Sequence, residues 1–502
     1  MLSNTFCASV YGIDAKIIRV ETDLSNGLPG MEMVGYLSSE VKEAKERVRI
    51  AIKNSGYEWS GKKITVNLSP ADIRKSGTQY DLAIAVSILS SQGVVNNLNL
   101  DKCCILGELK FNGQISPVRG IISCVIEAAR SGFEQVITPY DNYIEASVIE
   151  GIKIIPVKTL SETVDYINGI IQPVYIDKIV QINEENKLDF SDVKGQFMAK
   201  RAAEITAAGM HNLLLSGPPG TGKTMIARRI PTIMPPLTYD EQIELTRIYS
   251  VAGKLDNKSL IKSRPFRDPH HSITKTGLIG GGTFPLPGEI SYANFGILFM
   301  DELPEFRRES IEVLRQPLEE KRIVINRLSG TVVYPADFTL VAAMNRCPCG
   351  FYPDRNKCKC SQGDISRYLS RISQPIMDRI DLKVEMPAIN FDEISGKIYS
   401  ENSKSILRRV IRARKIQEHR YSGKSILFNS RLDGSLVDEY CILNDSSKEI
   451  IRDSFDKTDF TARSYHRLLK TSRTIADLEG SEKIQDKHVM EALMFRMSDR
   501  KE

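Results

Sequence analysis

The amino-acid sequence predicts an α/β protein in three parts, and three observations lead to this prediction. The chain has 502 residues, which at roughly 150 residues per domain corresponds to about three domains. Short apolar runs alternate with stretches of helical periodicity up to residue 390, whereas the remaining residues show helical periodicity alone. We therefore expect a mixed α/β domain at 1–170, a linker at 171–190, a parallel-sheet core at 191–390 and an all-helical domain at 391–502.

Composition and charge exclude several classes of protein. Hydrophobic residues make up 41% and charged residues 26% of the chain, which is typical of a globular protein and not of a disordered one. The net charge of +5 is too small to indicate nucleic-acid binding, so any basic surface must be local. No apolar run approaches the roughly 18 residues of a membrane helix, and no secretory signal is visible. Nine cysteines, unevenly spread, favour a reducing, cytoplasmic location. Because no apolar run is long enough to span a membrane, no membrane association is expected.

The elements of the first domain follow from its periodicities. The segments 63–68 and 135–138 have the pattern of strands, and 39–54 and 80–91 have that of helices. The segment 171–190 is rich in polar residues and poor in core formers, which is typical of a linker.

The second domain contains the sequence motif of a phosphate-binding loop. The apolar strand 213–216 runs into the pattern G-x-x-x-x-G-K-[ST], followed by a helix. The residues of the loop are Gly217, Pro218, Pro219, Gly220, Thr221, Gly222, Lys223 and Thr224. Backbone N–H groups of such a loop converge on phosphate oxygens, the lysine reaches the β- and γ-phosphates, and the hydroxyl binds Mg²⁺. The sequence therefore predicts a site for ATP and Mg²⁺.

Two further strands end in polar residues. The strand 296–300 is followed by Asp301 and Glu302, and the strand 338–343 leads to Asn345. We expect Asp301 to hold Mg²⁺ and Glu302 to polarise the attacking water as a general base. Asn345 is placed to orient that water, although most asparagines at strand ends simply cap turns. Because the carboxyl ends of parallel strands meet at one edge of a sheet, these groups are expected beside the phosphate loop.

This set of motifs resembles the AAA+ ATPases, and within them the magnesium-chelatase-like group. The resemblance implies that Val193 and Gln196 lie near the adenine and that Asn345 is the residue termed sensor 1. It also makes Arg379 the expected arginine finger, supplied to a neighbouring subunit, with Arg371 as the alternative. A salt bridge of Arg379 with Asp378 or Asp381 is the competing interpretation. The segment 462–463 resembles sensor 2, which implies that Arg463 reports the γ-phosphate to the helical domain.

Several segments narrow the resemblance to the YifB/ComM family, and it extends over essentially the whole chain. The segments are Pro269–His271, Gly288–Ser291, Asp301–Phe306, Leu314–Glu319 and Cys347–Gly350. Members are understood as hexameric AAA+ motors, and one acts in natural transformation as a helicase that promotes DNA branch migration. The resemblance therefore implies an ATPase that forms a homo-oligomer, a hexamer, and acts on single-stranded or branched DNA.

The first domain resembles the Lon-protease-like fold (ribosomal S5 domain 2-like) that this family carries. Lon hydrolyses peptides with a serine–lysine dyad, and the matching positions here are Gln79 and Arg119. A carboxamide is not a nucleophile, and arginine cannot act as a neutral base near pH 7. We therefore expect a non-proteolytic scaffold or DNA-contacting domain.

A cluster of cysteines in the second domain predicts a metal site at 347–360. Its pattern is C-x-C-x₈-C-x-C, formed by Cys347, Cys349, Cys358 and Cys360. Four thiolates this close in sequence can surround one structural Zn²⁺, although reduced thiols or a redox pair would give the same pattern. The other cysteines are expected to be small core residues.

Local basic segments are the candidates for a DNA-binding surface. Six cations lie on the first C-terminal helix, on several faces: Arg408, Arg409, Arg412, Arg414, Lys415 and Arg420. A solvated helix face is an equally good interpretation. The glycine-rich insert 267–282, which contains Lys275, resembles the helix-2 insert of this group and is a candidate pore loop. His270 and His271 within it are expected to have a structural or loop-contact role and not to bind metal.

Other functions are compatible with parts of the sequence. A metal-insertion chaperone, like the motor subunit of magnesium chelatase, would need partner subunits and a porphyrin-type substrate, and the Lon-like domain and cysteine cluster argue against it. An ATP-dependent Lon-like protease is disfavoured by Gln79 and Arg119. A nucleotide-dependent switch with slow hydrolysis is disfavoured by the nearly complete catalytic set. A ring-forming motor that acts on DNA agrees with all the motifs together.

Overall fold

The computed structural model describes nine stretches of the chain. They are residues 2–96, 100–175, 188–255, 260–282, 285–327, 330–388, 400–424, 426–455 and 461–496. Most of the predicted linker and the start of the predicted C-terminal domain lie outside these residues. None of the described helices combines the length and the apolar character that a membrane span requires.

The first domain is a seven-stranded mixed sheet with helices packed against it. Its strands are β1 (Ser3–Tyr11), β2 (Asp14–Ser25), β3 (Gly30–Val34), β4 (Lys63–Ser69), β5 (Cys103–Ile105), β8 (Gln135–Pro139) and β9 (Lys153–Val157), with the short pair β6 (Glu108–Leu109) and β7 (Ile115–Ser116) beside the sheet. Its helices are α1 (Ser39–Asn54), α2 (Asp81–Ser91), α3 (Ile121–Arg130), α4 (Tyr143–Ala146) and α5 (Leu160–Ile167). The strand order is β3-β4-β2-β1-β5-β8-β9. Every residue of α2 is buried, as expected for a helix that is apolar on all sides.

The second domain contains a five-stranded parallel sheet that positions the site. Its strands are β10 (Leu213–Ser216), β11 (Phe266–Arg267), β14 (Ile297–Met300), β17 (Thr339–Met344) and β18 (Leu382–Glu385), and two hairpins accompany them, β12 (Gly280–Gly281) with β13 (Leu286–Pro287) and β15 (Arg322–Arg327) with β16 (Gly330–Pro335). Its helices are α6 (Phe197–Gly209), α7 (Lys223–Ala227), α8 (Ile230–Ile233), α9 (Tyr239–Val251), α10 (Lys275–Ile279), α11 (Glu289–Tyr292), α12 (Arg308–Glu312), α13 (Arg315–Glu320), α14 (Gln362–Leu369) and α15 (Gln374–Met377). The order β11-β14-β17-β10-β18 brings three carboxyl ends side by side. They are the ends of β14 and β17, which lead to the predicted polar residues, and the end of β10, which leads to the phosphate loop.

The C-terminal part is helical and shares a core with the second domain. Its helices are α16 (Ser403–Arg420), α17 (Gly434–Tyr440), α18 (Asp445–Phe455), α19 (Ala462–Glu479) and α20 (Asp486–Met494). Side-chain caps explain where the two longest begin, since Asn402 accepts from the backbone of Ser405 and Thr461 from that of Ser464. Apolar residues of α16 and α19 belong to the same buried cluster as β10 and α6. Burial of this shared face therefore holds the helical part on the sheet.

The first and second domains meet along α9. Arg247 of that helix pairs with Asp14 at 2.6 Å, and Ser250 donates to the carboxylate of Glu145. Burial at this junction raises the pKa of Glu145 to about 7. The turn between β1 and β2 also lies against the β15–β16 hairpin. The first domain thus contacts two elements of the second domain, α9 and the β15–β16 hairpin.

The predicted fold class is confirmed, as are most predicted elements. The predicted helix at 39–54 is α1, and the predicted strands at 63–68 and 135–138 are β4 and β8. In the C-terminal part the sequence predicts helices at 405–419, 447–453, 462–478 and 486–497, which correspond to α16, α18, α19 and α20; within the described residues α20 ends at Met494. Helix α17 was not predicted because its seven residues offer too little periodicity to recognise. The domain limits themselves stay predictions.

Candidate functional site

The phosphate-binding loop lies at the carboxyl edge of the second sheet. Strand β10 runs between β17 and β18 and continues through the loop into α7. Gly220 and Gly222 have φ values of +78° and +88°, a conformation that glycine adopts without strain. A Cβ atom on Gly217 would lie 2.3 Å from the carbonyl oxygen of Met386, so the loop can pass β18 only because this residue is glycine. The strand–loop–helix context of the motif is therefore present.

Lys223 is held at the centre of this loop. Its Nζ donates to the carbonyl oxygens of Gly217 and Pro218, both at 2.8 Å, and to Oδ1 of Asn345 at 3.2 Å. Burial lowers the pKa of Lys223, and the nearby carboxylates of Asp301 and Glu302 oppose that shift. Because these acceptors are all neutral, the ammonium charge stays available to an anionic ligand. The contact also brings the predicted sensor asparagine to the phosphate loop.

Oxygen atoms of two elements meet beside the loop. Oγ1 of Thr224 donates to Oδ2 of Asp301 at 2.7 Å, which joins the start of α7 to the end of β14. A hydroxyl and a carboxylate are ligands that Mg²⁺ prefers, and the residues here fit that ion.

The glutamate that follows Asp301 has an unusual backbone. Glu302 has a φ of +54°, which is uncommon for a residue with a side chain. Its backbone N–H donates to Oδ1 of Asp301 at 2.9 Å, and its side chain is 57% exposed. Backbone strain of this kind persists where the surroundings enforce it, often at functional sites. The carboxylate is accessible to water at the edge where the phosphates would bind.

His271 is a site residue that the sequence argument did not assign. Its Nδ1 lies 3.7 Å from Oε2 of Glu302, and its ring meets Phe306 edge-on. The rings of His270 and His271 lie 4.1 Å apart. In the sequence, the only signal for this residue was the pair of adjacent histidines. Its contact with Glu302 could not be predicted, because it joins the glycine-rich insert to the end of β14, which is distant in sequence.

The segment of Val193 and Gln196, which was predicted to lie near the adenine, contacts the phosphate loop. Nε2 of Gln196 donates to the carbonyl oxygens of Thr221, at 3.4 Å, and of Pro387, at 2.9 Å. Val193 is buried, and its carbonyl oxygen accepts from Ser400 at 2.8 Å. The structure thus brings Val193, Gln196 and the loop into one region.

The two predicted arginines meet at one carboxylate. Arg379 is only 5% exposed; it donates to Oε1 of Glu319 and to the carbonyl oxygen of Pro375 at 2.5 Å. Nη2 of Arg463 lies 3.8 Å from the same oxygen of Glu319. The competing interpretation, a salt bridge with Asp378 or Asp381, named the wrong partner. We did not anticipate Glu319, which is distant in sequence.

Asp378, Asp381 and the alternative finger Arg371 each pair with a residue other than Arg379. Asp381 pairs with Arg467 at 3.0 Å, and Asp378 accepts from Gln374 at 2.9 Å. Arg371 pairs with Glu305 at 2.9 Å, so it lies beside the turn that follows Glu302 in its own subunit. The two candidate fingers therefore occupy different surroundings.

The four clustered cysteines converge on one point. Their sulfur atoms all lie within 4.8 Å of one another, and the closest pairs are 3.3, 3.6 and 3.7 Å apart. With Zn–S bonds of roughly 2.3 Å, sulfur atoms at the corners of a tetrahedron are about 3.8 Å apart. The thiols present therefore fit a tetrahedral zinc ion, with slight expansion.

The surroundings of the cluster favour the thiolate form of Cys349, whereas burial and hydrogen bonds between the thiols raise the pKa of Cys358 and of Cys360. The backbone N–H of Phe351 and the adjacent thiols lower the pKa of Cys349 to about 6. The N–H of Tyr352 donates to the sulfur of Cys347 at 3.4 Å, as in the outer shell of metal sites. A Cβ atom on Gly350 would lie 2.7 Å from Pro219, so the cluster packs directly on the phosphate loop. The other five cysteines are all buried, which confirms their assignment to the core.

The positions matching the Lon dyad have structural contacts. Nε2 of Gln79 donates to the carbonyl oxygen of Ser76 at 3.1 Å. The guanidinium of Arg119 lies against Gly253 of the second domain. Both side chains are thus engaged within the chain.

Burial sorts the six basic residues of α16 into two groups. Arg409 pairs with Glu204 at 2.5 Å, Arg420 pairs with Asp477, and Arg414 is buried against Phe428. These three stabilise the helical part. The exposed residues are Arg408, Arg412 and Lys415. Their spacing of four and three places them on one face of the helix, so a single basic stripe remains where the sequence suggested several faces.

Comparison with known proteins agrees with this architecture. Residues 189–394 match the family described as magnesium chelatase, subunit ChlI, residues 20–142 match subunit ChlI of Mg-chelatase, and residues 400–496 match the ChlI C-terminal family. Competence protein ComM of Haemophilus influenzae is 40% identical over 501 residues, which cover 99% of this chain and 97% of the relative. YifB of Escherichia coli is 40% identical over 503 residues, 99% of this chain and 98% of the relative. Lon protease 2 of Bacillus subtilis is 29% identical over 170 residues, 32% of this chain and 30% of the relative.

The fold and the nucleotide site thus define an AAA+ ATPase of the magnesium-chelatase type, a class that uses ATP and Mg²⁺. Within that class the chain belongs to the YifB/ComM family, as the near-full-length identity shows.

Proposed function

We propose that this protein is an ATP-dependent, ring-forming motor that acts on DNA as a helicase or branch-migration enzyme during recombination of incoming DNA. The observation that carries the proposal is the 40% identity with competence protein ComM over nearly the whole chain. It is supported by the contacts at the predicted ATP site. Lys223 donates to Asn345, and Thr224 donates to Asp301.

Each residue of the site has a role in this proposal. Lys223 binds the β- and γ-phosphates, and Thr224 and Asp301 hold Mg²⁺, which neutralises charge on the transferring phosphoryl group. Glu302 accepts a proton from the attacking water, and Asn345 orients that water. The segment of Val193 and Gln196 contacts the adenine.

The remaining charge comes from a neighbouring subunit. Arg379 and Arg463 share one carboxylate and so belong to one cluster, and we assign both to the ATP site of the next subunit. A guanidinium supplied in this way stabilises charge that grows during phosphoryl transfer. The active form is therefore a homo-oligomer, a hexamer in this proposal, with ATP sites at its interfaces.

The DNA contacts come from local basic surfaces. The exposed stripe of Arg408, Arg412 and Lys415 suits phosphates of a DNA backbone. Arg327, near the tip of the β15–β16 hairpin, lies beside Gly281 of the insert, so this cation adjoins the candidate pore loop. Repetition around a ring multiplies these modest charges.

The ATPase rate with and without DNA tests this proposal. We expect single-stranded or branched DNA to stimulate turnover several-fold, and the stimulation to weaken with rising salt because phosphate contacts release counterions. The double variant Arg408→Glu/Arg412→Glu should lose the response but keep its basal rate. Its matched control, Arg452→Glu, reverses the charge of an exposed arginine on α18. Robust turnover that no DNA changes would exclude the motor on DNA.

We also propose that the cysteine cluster binds one structural Zn²⁺, which would hold the loop 347–360 against the phosphate site. Protein purified under reducing conditions should contain about one zinc per chain by elemental analysis, and Cys358→Ser should lose most of it, because three thiolates bind zinc less tightly than four. Cys441→Ser, in a buried cysteine outside the cluster, should retain the metal. Zinc-free wild-type protein that is folded and active would contradict the assignment.

A further inference from the structure

The segment Leu314–Glu319 has no role in the function proposed so far, although it helped to define the family. It forms most of helix α13. Arg315 and Glu319 are four residues apart, so both lie on one face of this helix. That face meets the cluster of Arg379 and Arg463.

Glu319 is the acceptor that this cluster shares. Its Oε1 accepts from Nη2 of Arg379 and lies 3.8 Å from Nη2 of Arg463. Arg315 is close enough to affect the same guanidinium: burial lowers the pKa of Arg379, the charge of Glu319 opposes this, and Arg463 and Arg315 add to the lowering. Like charges this close repel one another unless an anion lies between them.

The hydrogen-bonding capacity of the cluster is not exhausted. Among the described residues, Nε of Arg379 is buried without a partner. The side chain of Glu319 is half exposed and that of Arg463 is 65% exposed. Arg463 can therefore donate to a second anion that approaches from solvent or from another chain, whereas Arg379, which is 5% exposed, reaches that anion only if its side chain turns outward when the subunits assemble. The γ-phosphate of ATP in a neighbouring subunit is such an anion.

We propose that Glu319 is a positioning residue for ATP hydrolysis in the neighbouring subunit: its carboxylate holds Arg379 and Arg463 side by side, ready to donate to that subunit's γ-phosphate. This inference rests on the proposed function, since it takes Arg379 and Arg463 to act across the interface. In this proposal Glu319 itself contacts neither the γ-phosphate nor the attacking water. Without its charge the two guanidiniums separate, and the stabilisation they provide in the transition state is lost.

The first test separates turnover from ATP binding. We expect Glu319→Gln to lower kcat by about 10- to 100-fold, a part of the effect of an arginine finger, and to leave the KM for ATP within about twofold, because Lys223 and Thr224 are untouched. Glu319→Asp should recover part of the rate, since it restores the charge. The matched control is Glu320→Gln, at the next position, where the carboxylate pairs on the surface with Arg322. Unchanged kcat in Glu319→Gln would overturn the inference.

The second test distinguishes action across the interface from damage to the fold. Glu302→Gln subunits have an inactive site but an intact arginine pair, and Glu319→Gln subunits have the reverse. Mixed rings of the two should regain turnover at the interfaces that combine the two intact halves, about a quarter of all interfaces in a random mixture. A subunit that simply failed to fold, or a role of Glu319 within its own site, would give no recovery.

A reference mixture separates this inference from the proposed function. Arg379→Ala replaces Glu319→Gln in the same experiment with Glu302→Gln. Recovery with Arg379→Ala but not with Glu319→Gln would overturn the role of Glu319 and leave the shared ATP site standing. No recovery in either mixture would contradict the shared site itself.

Discussion

Glu302→Gln is expected to reduce ATP turnover by about 10²- to 10⁴-fold while ATP still binds. A carboxamide has nearly the shape of the carboxylate but cannot accept the proton of the attacking water. The Thr224–Asp301 contact at 2.7 Å and the contacts of Lys223 do not involve the side chain of Glu302, so the phosphates and Mg²⁺ should still be held. Single-turnover phosphate release, together with equilibrium binding of a fluorescent ATP analogue, measures the two effects separately.

The same turn offers a matched control for Glu302. Glu305 is also a glutamate and pairs with Arg371 on the surface, so Glu305→Gln should keep a rate close to that of the unchanged protein. The assignment of the base would be wrong if Glu302→Gln kept more than about a tenth of the rate. His271, at 3.7 Å from Glu302, would then be the next candidate.

Arg379→Ala is expected to lower kcat by about 10³-fold or more with little change in the KM for ATP. An arginine finger supplies charge that is needed only in the transition state, so its loss affects turnover and not binding of the substrate. Arg379→Lys should recover little, because an ammonium cannot reproduce the planar fork of a guanidinium. Steady-state kinetics over a range of ATP concentrations measures both parameters.

The alternative finger is the natural control for Arg379. Arg371 is more exposed and lies beside the turn that follows Glu302 in its own chain, so Arg371→Ala should have a small effect. A large loss in Arg371→Ala with a normal rate in Arg379→Ala would exchange the two assignments. A fall in thermal stability of Arg379→Ala is expected as well, because Glu319 loses a buried partner.

The nucleotide site could be predicted because its signals are local. The loop 217–224 is one continuous motif, and Gly220 and Gly222 within it have positive φ values. Asp301, Glu302 and Asn345 follow apolar strands directly, and a parallel sheet places such strand ends together. The cysteine cluster is local as well, since all four cysteines lie within fourteen positions, 347–360.

Contacts between distant segments could not be predicted in this way. Glu319 and Arg463 are joined only after the helical part packs on the second domain. The three arginines of α16 with internal partners could not be told apart from the exposed ones, since charge alone does not reveal burial. The junction of Ser250 with Glu145 likewise depends on how two domains meet.

The sequence by itself determined the fold class, the phosphate loop, the polar strand ends and the cysteine cluster, because periodicity and motif spacing act over a few residues. Only the tertiary structure decided which carboxylate holds the arginine pair, which histidine faces Glu302 and which cations of α16 remain exposed. These outcomes depend on packing between elements far apart in the chain, where burial and the need to pair each buried charge select the partner.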